Sequence, residues 1–212
     1  MHRKLWLSAV TAALGVLLLV VAGFASAASS SAAKKGGTMR LNMSETDVDF
    51  SDPSLAYGTI SWQIEYATQL KLMNYPDKPA PVGSRLRPEG AAAFPIISNN
   101  GKTYTFTIRK GLRFSNGAAV TARNFKWAFD RAATKAQQSP ATPFMDTVVG
   151  FTAAVNGGKN PAKVSGVTAR GNKLIIRLRQ SDGGMLSKLA MPFFAALPLT
   201  LKVNPKGAEA YP

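Results

Sequence analysis

The chain contains no cysteine, and its 212 residues include a single histidine, His2. Disulfides, thiolate metal sites and cysteine nucleophiles are therefore excluded. His2 lies in an N-terminal segment with the features of a removable leader, so the mature chain would carry neither His nor Cys. A Ser-His-Asp triad, a Cys-His pair and a usual zinc site each need one or the other. Acidic residues are scarce as well: 11 Asp and Glu stand against 26 Lys and Arg, for a formal charge of +15. Paired-carboxylate catalysis thus has few candidates. Asp47, Asp49 and Asp52 are close in sequence but read as turn residues, Ser51-Asp52-Pro53 most directly. The basic residues are scattered over Lys34-Lys35, Arg85, Arg87, Arg109-Lys110, Arg113, Arg123, Lys126, Arg177 and Arg179. This spread reads as a solvated basic surface. The alternative is a secreted basic protein that binds anionic wall polymer or nucleic acid.

The features that are present begin with an export signal. His2, Arg3 and Lys4 form a basic head, Leu5 to Phe24 is almost wholly apolar, and Ala25-Ser26-Ala27 offers small residues for cleavage. Residues 1–27 read as a signal peptide, with a retained membrane anchor as the other reading of an apolar run of this length. Val21-Ala22-Gly23 is the kind of sequence that precedes a lipid-bearing cysteine, but Phe24 occupies that position and cannot carry lipid. Residues 28–37 are small and polar, a tether.

The rest alternates between strand and helix signals. Thr38 to Met43 reads as a first strand. Thr59 to Met73 reads as a helix with two apolar stripes, Ile60, Ile64 and Ala67 beside Trp62, Tyr66, Leu70 and Met73, wide enough to predict packing against a sheet or a second domain. Residues 74–95 read as extended loop. Tyr104, Phe106 and Ile108 share one face of a strand with Thr103, Thr105 and Thr107 on the other, after a turn at Asn99-Asn100-Gly101-Lys102. Arg109-Lys110-Gly111 ends that strand, Leu112 to Phe114 suggest a short second one, and Ser115-Asn116-Gly117 turns again. Thr121 is the expected N-cap of a helix burying Phe125, Ala128, Phe129 and Ala132, with Trp127 widening the face. The glycines at 111 and 117 do not have phosphate-loop spacing, so this stretch is structural. Val164–Ala169 and Leu174–Leu178 flank Arg170-Gly171-Asn172-Lys173 as a second hairpin. Ser187 to Leu199 is apolar and interrupted by Pro192 and Pro198.

This order resembles the family 5 extracytoplasmic solute-binding proteins of ABC importers, the peptide, dipeptide and nickel binders. The likeness rests on Asp52-Pro53 with the following helix, the block YTFTIRKGLRFSNGAAVTARNFKWAFDRA at 104–132, Asn156-Gly157-Gly158-Lys159 leading into Val164-Ser165-Gly166-Val167, and Met191-Pro192-Phe193-Phe194. The resemblance implies an α/β, two-lobed periplasmic-binding-protein-like (type II) fold of which the N-terminal part is present. Residues 38–70 would open lobe I, 71–187 would form a small β-rich second domain, and 188–212 would begin the return into lobe I. It further implies a peptide or other small organic solute as ligand, ABC permease subunits as partners, a monomer outside the cytoplasmic membrane, and no nucleic acid, cofactor, metal or catalytic residue. By resemblance, Leu55, Ala56, Tyr57, Gly58 and Thr59 line the cleft, partly through backbone groups, and Pro140 and Ala141 approach it. Peptide-binding relatives often carry an aromatic where Ala141 stands, and relatives favour an acidic residue near Arg123-Asn124, where it would complete a capping box; its absence is expected to weaken the helix start. Uncovered apolar surface is expected around the 60–73 helix and 191–199, with poor solubility as its consequence.

Overall fold

The alternation at 103–108 is where the sheet is built. The structure, a computed structural model, describes residues 36–38, 40 and 48–204. The leader, most of the tether, the expected first strand apart from Thr38 and Arg40, and the last eight residues lie outside the described residues. Residues 1–42 and 43–212 are separate units. The elements of the second, in chain order, are helix α1 (Thr59–Thr68), strands β1 (Met73–Asn74), β2 (Arg87–Pro88), β3 (Ile96–Ser98) and β4 (Thr103–Thr107), helices α2 (Ala122–Ala132) and α3 (Phe151–Asn156), strands β5 (Val167–Arg170) and β6 (Lys173–Arg177), and the short helix α4 (Met185–Lys188). Single 3-10 turns occupy Lys135–Gln137, Thr142–Phe144 and Pro192–Phe194.

Strands β3-β4-β6-β5 form an antiparallel sheet in that order. Asn99, Asn100 and Gly101 all take positive φ in the first hairpin turn, and Gly171 does so in the second. Tyr104, Phe106, Leu174, Ile176 and Val167 point inward and are buried. Against them lies α2, whose Phe125, Ala128 and Phe129 are fully buried as the spacing predicts. Each such phenylalanine contributes about 1.5–3 kcal/mol through removal from water. Trp127 is only half-buried, and its indole N–H donates to Leu201 O at 3.0 Å. The outer face of the sheet alternates correctly too, with Thr103, Thr105, Thr107, Lys173, Ile175 and Arg177 turned away from the core.

Thr121 caps α2 as expected, but the expected weakness of that cap is corrected. Asn124 Oδ1 accepts from the Thr121 N–H at 2.9 Å and from its hydroxyl at 2.8 Å. The Asn124 amide also donates to Leu197 O at 2.9 Å, so one side chain closes the cap and ties down the returning chain. An acid could accept in the cap but could not donate to that carbonyl.

Three further expectations change. Helix α1 stops at Thr68 and not at Met73: Gln69 is extended, Lys71 turns inward, and Leu72 and Met73 are fully buried, Met73 pairing with Pro88. Core burial and strand pairing outweigh one more turn of helix. The short strand at 112–114 reduces to a single bridge, Arg113 to Ala119, with the Arg113 guanidinium donating to Gly117 O. Of the stretch expected to be uncovered at 191–199, residues 192–197 are buried and Leu199 is exposed. Phe193 and Phe194 are fully buried, and Phe194 stacks on Phe129 at 4.8 Å.

Candidate functional site

Asp49 and Asp52, both read from sequence as turn residues, organise the loop that carries four of the expected cleft positions, Leu55 to Gly58, and leads into the fifth, Thr59, at the start of α1. Asp52 is buried and makes a two-pronged pair with Arg131 of α2, both N···O distances being 2.5 Å. Arg131 also donates to Ser54 Oγ at 2.8 Å and to Lys202 O at 3.1 Å. Gln137 donates to Asp52 at 3.4 Å and accepts from the Asn204 N–H at 3.1 Å. The Asp52 carbonyl accepts the N–H groups of Leu55 and Ala56. Loop, α2, the following 3-10 turn and the 202–204 segment thus meet on one ion pair.

Asp49 acts at the other end of the loop. Its carboxylate accepts the N–H groups of Phe50, Tyr57 and Gly58, at 2.8, 2.8 and 2.6 Å, and the Ser61 hydroxyl. This places a negative charge at the α1 N-terminus, where the helix dipole favours it. Burial pushes the carboxyl up, and the hydrogen bonds from Ser61, Tyr57, Gly58 and Phe50 outweigh it and hold Asp49 below the ordinary aspartate range.

These anchors set the rotation of α1, and they set it against the sequence pattern. Its buried residues are Ser61 and Glu65, while Ile64 and Tyr66 are exposed. The helix packs on the Pro192–Phe194 turn, with Trp62 turned in against the core and Ile64, Tyr66 and Ala67 turned outward. Glu65 has neither carboxylate oxygen hydrogen-bonded. Burial, then the nearby charges of Asp52 and Asp49, raise its pKa to about 8, with Lys71 opposing. Lys71 is itself buried beneath the helix end, donating to Gln69 O at 3.1 Å and lying 3.6 Å from Glu89. Burial lowers its pKa, against the pull of Glu89.

The expected cleft residues therefore divide. Leu55, Ala56 and Ala141 are buried, Gly58 and Pro140 are half-buried, and Tyr57 and Thr59 are exposed. The N–H groups of Leu55, Ala56, Tyr57 and Gly58 are all engaged within the protein, so this loop has no spare backbone donor there. It offers instead the Tyr57 ring, 58% exposed. That ring meets Trp62 edge-on at 5.9 Å, stacks on Phe193 at 6.0 Å and leans on Phe144 at 6.5 Å. Phe144 follows Ala141 by three residues and stacks on Phe193 at 5.9 Å. The aromatic absent at position 141 is thus supplied one 3-10 turn later, and it joins the 139–144 segment to the 55–59 loop. An aromatic three positions downstream was a readable signal.

From Trp62 the aromatic line continues to Tyr66 at 6.2 Å. Tyr66 borders a cavity of about 640 Å³ shared with Gln63, Asn74, Tyr75, Asp77, Arg87 and Glu89. The volume falls in the range of small-molecule sites. Of its lining, Tyr66, Ala67 and Arg87 stand out in the sequence, none of them as a site residue, because β1 and β2 bring together residues from a stretch that reads as loop. Among the described residues no group of three acidic or histidine side chains could hold a metal. The surface is suited to enclosing and stacking on a ligand, with polar groups at its margin.

Known proteins share both the sequence and this architecture. The family model described as bacterial extracellular solute-binding proteins, family 5 Middle, matches residues 85–211. Dipeptide-binding protein DppE of Bacillus subtilis is 29% identical over 77% of this chain and 29% of its own length. Oligopeptide-binding protein OppA of the same organism is 29% identical over 98% of this chain and 37% of its own. The substrate-binding domain of an oligopeptide ABC transporter from Bacillus anthracis superposes with a TM-score of 0.66 at 25% identity, covering 74% of this chain and 29% of that one. The chain therefore spans roughly a third of the length of the curated relatives it matches. All three are described by what they bind or carry, and none by a reaction. With more than half of its residues inside the family model, the chain belongs to the family 5 bacterial extracellular solute-binding proteins.

Proposed function

We propose that this chain forms part of the peptide-holding wall of an ABC-importer binding protein, working outside the cytoplasmic membrane and handing its solute to a permease. The observation that carries the reading is the exposed Tyr57 ring, backed by Trp62, Phe144 and Phe193 and anchored through Asp49 and Asp52. Relatives named for dipeptide and oligopeptide binding give the ligand class. In this reading Tyr57 and Thr59 face the solute, and Leu55, Ala56, Gly58, Pro140 and Ala141 hold the wall in shape from beneath. Binding needs no catalytic group, because enclosure, stacking and a few polar contacts suffice. The protein acts as a monomer, without cofactor or nucleic acid. Residues 38–70 and 188–212 belong to one lobe and 71–187 to a second. Support for that division comes from Ala196 donating to Leu70 O and from Trp62 meeting Phe193 at 5.4 Å, which join the first and last segments.

Calorimetric titration with a mixture of short peptides tests this reading. Saturable binding is expected, and Tyr57→Ala should weaken it about tenfold, the loss of roughly one aromatic contact with its buried area. Unchanged affinity in Tyr57→Ala, or no peptide binding by the folded chain, would remove the proposal.

A further inference from the structure

The outer face of the four-stranded sheet has no part in the Tyr57 wall, and its composition is unusual for a free surface. Strand register puts Thr107, Lys173 and Arg170 in one row across β4, β6 and β5, with Lys173 directly opposite Arg170. A second row runs from Ile96 through Thr105 and Ile175 to Thr168, and a third sets Thr103 beside Arg177. None of these positions is acidic. Like charges facing each other across strands destabilise a sheet, and among the described residues Lys173 and Arg170 have no ion-pair partner to relieve them. The same sheet ends in an apolar edge. Ile96 is 69% exposed and Phe94, two residues before β3, 55%, among the most exposed large apolar side chains of the described residues, while Ile97, paired with Tyr104, turns to the other face.

Cations beside exposed isoleucine and phenylalanine are the two halves of an interfacial membrane contact: basic groups attract anionic headgroups, and apolar side chains enter the acyl boundary. We propose that this face, with Ile96 at its edge and Arg170, Lys173 and Arg177 across it, rests on an anionic lipid surface. A phosphate polymer would match the cations but would leave the apolar edge in water, so the edge decides for lipid. The contact is independent of solute capture, since Tyr57 and its aromatic neighbours lie on other elements. It orients the protein on the bilayer that holds its permease.

The cysteine-free sequence makes a local test clean. Ile96→Cys, labelled with an environment-sensitive dye, is mixed with phosphatidylcholine vesicles with or without phosphatidylglycerol. Because the reporter sits at position 96, any binding through the apolar run at 5–24 does not imitate the signal. A blue shift is expected with the anionic vesicles alone, with no shift for a label at Lys159→Cys. Adding Lys173→Gln and Arg177→Gln should weaken the anionic-vesicle response more than about tenfold, at about fivefold per cation. No shift at 96 in the folded protein, an equal shift on neutral vesicles, or a shift that survives loss of both cations would overturn the proposal. So would an equal response to soluble polyphosphate, which would assign the face to an anionic polymer instead. Should the double variant lose its circular dichroism, raised salt replaces it: the shift must fall as salt rises, and a salt-independent shift is again contrary.

Discussion

An Asp52→Ala chain is expected to unfold about 3–5 kcal/mol more readily than the parent. The change strands the fully buried Arg131 guanidinium without its counter-charge, and breaking such a pair from one side costs that much. Since domains of this kind are stable by only about 5–15 kcal/mol, the loss is a large fraction of the total. Urea unfolding followed by tryptophan fluorescence measures the loss. The pair need not be strongly stabilising in itself. Replacing both partners, as Asp52→Leu with Arg131→Met, should recover most of the loss, because two matched apolar side chains avoid the desolvation of both ions. A loss under about 1 kcal/mol for Asp52→Ala would mean the ion pair does not hold the loop. A full loss in the double variant would put the effect in the Ser54, Gln137 and Lys202 contacts instead.

The second large effect is a dependence on pH carried by Glu65. Its folded pKa of about 8 stands above the ordinary 4.5, so between those values the folded chain binds a proton that the unfolded chain has released. Stability from this group is therefore greatest below about pH 4.5 and is lost as pH rises through about 8. The drop is on the order of a few kcal/mol, given 1.36 kcal/mol for each unit of displacement. The groups acting on it are Asp52 and Asp49, which raise it, and Lys71, which opposes. Lys71 has its own lowered pKa and contributes a slope of the opposite sign toward the alkaline side, but it is unchanged in the variant. Glu65→Gln should flatten the decline in unfolding free energy between about pH 5 and pH 8. The comparison rests on the slope, because the buried amide brings unpaired donors of its own. Parallel slopes for parent and variant would show that Glu65 is not the titrating group.

These two residues also mark the limit of what the sequence discloses. Where burial follows local periodicity, the pattern sufficed. Tyr104, Phe106 and Ile108 went inward, Phe125 and Phe129 made the face of α2, and Thr121 began that helix. Those features depend on neighbours two to seven residues away. The α1 helix does not follow this rule. Its rotation is fixed by Asp49 gripping Tyr57, Gly58 and Ser61 and by the Trp62 indole donating to Ala56 O. Hydrogen bonds across a loop therefore override a hydrophobic stripe, and polar Ser61 and Glu65 are buried while Ile64 and Tyr66 remain outside. Arg131 was unreadable for a related reason: a basic residue in the last turn of a helix looks solvated until the partner, 79 positions earlier, is known. Asn124 was judged by its missing charge, yet its amide performs both capping and tethering. The candidate site was legible as two segments, 55–59 and 140–141. That they meet through Tyr57 and Phe144 depends on a three-residue 3-10 turn that no periodicity announces.

The solute wall itself is tested most directly by locating the ligand. Short peptides carrying a photoreactive phenylalanine analogue would be irradiated with the folded chain, and the adducts mapped by mass spectrometry. The account predicts adducts concentrated at Tyr57, Thr59, Trp62 and Phe144, abolished by excess unlabelled peptide. Competable adducts confined to other surfaces, with these residues untouched, would contradict it.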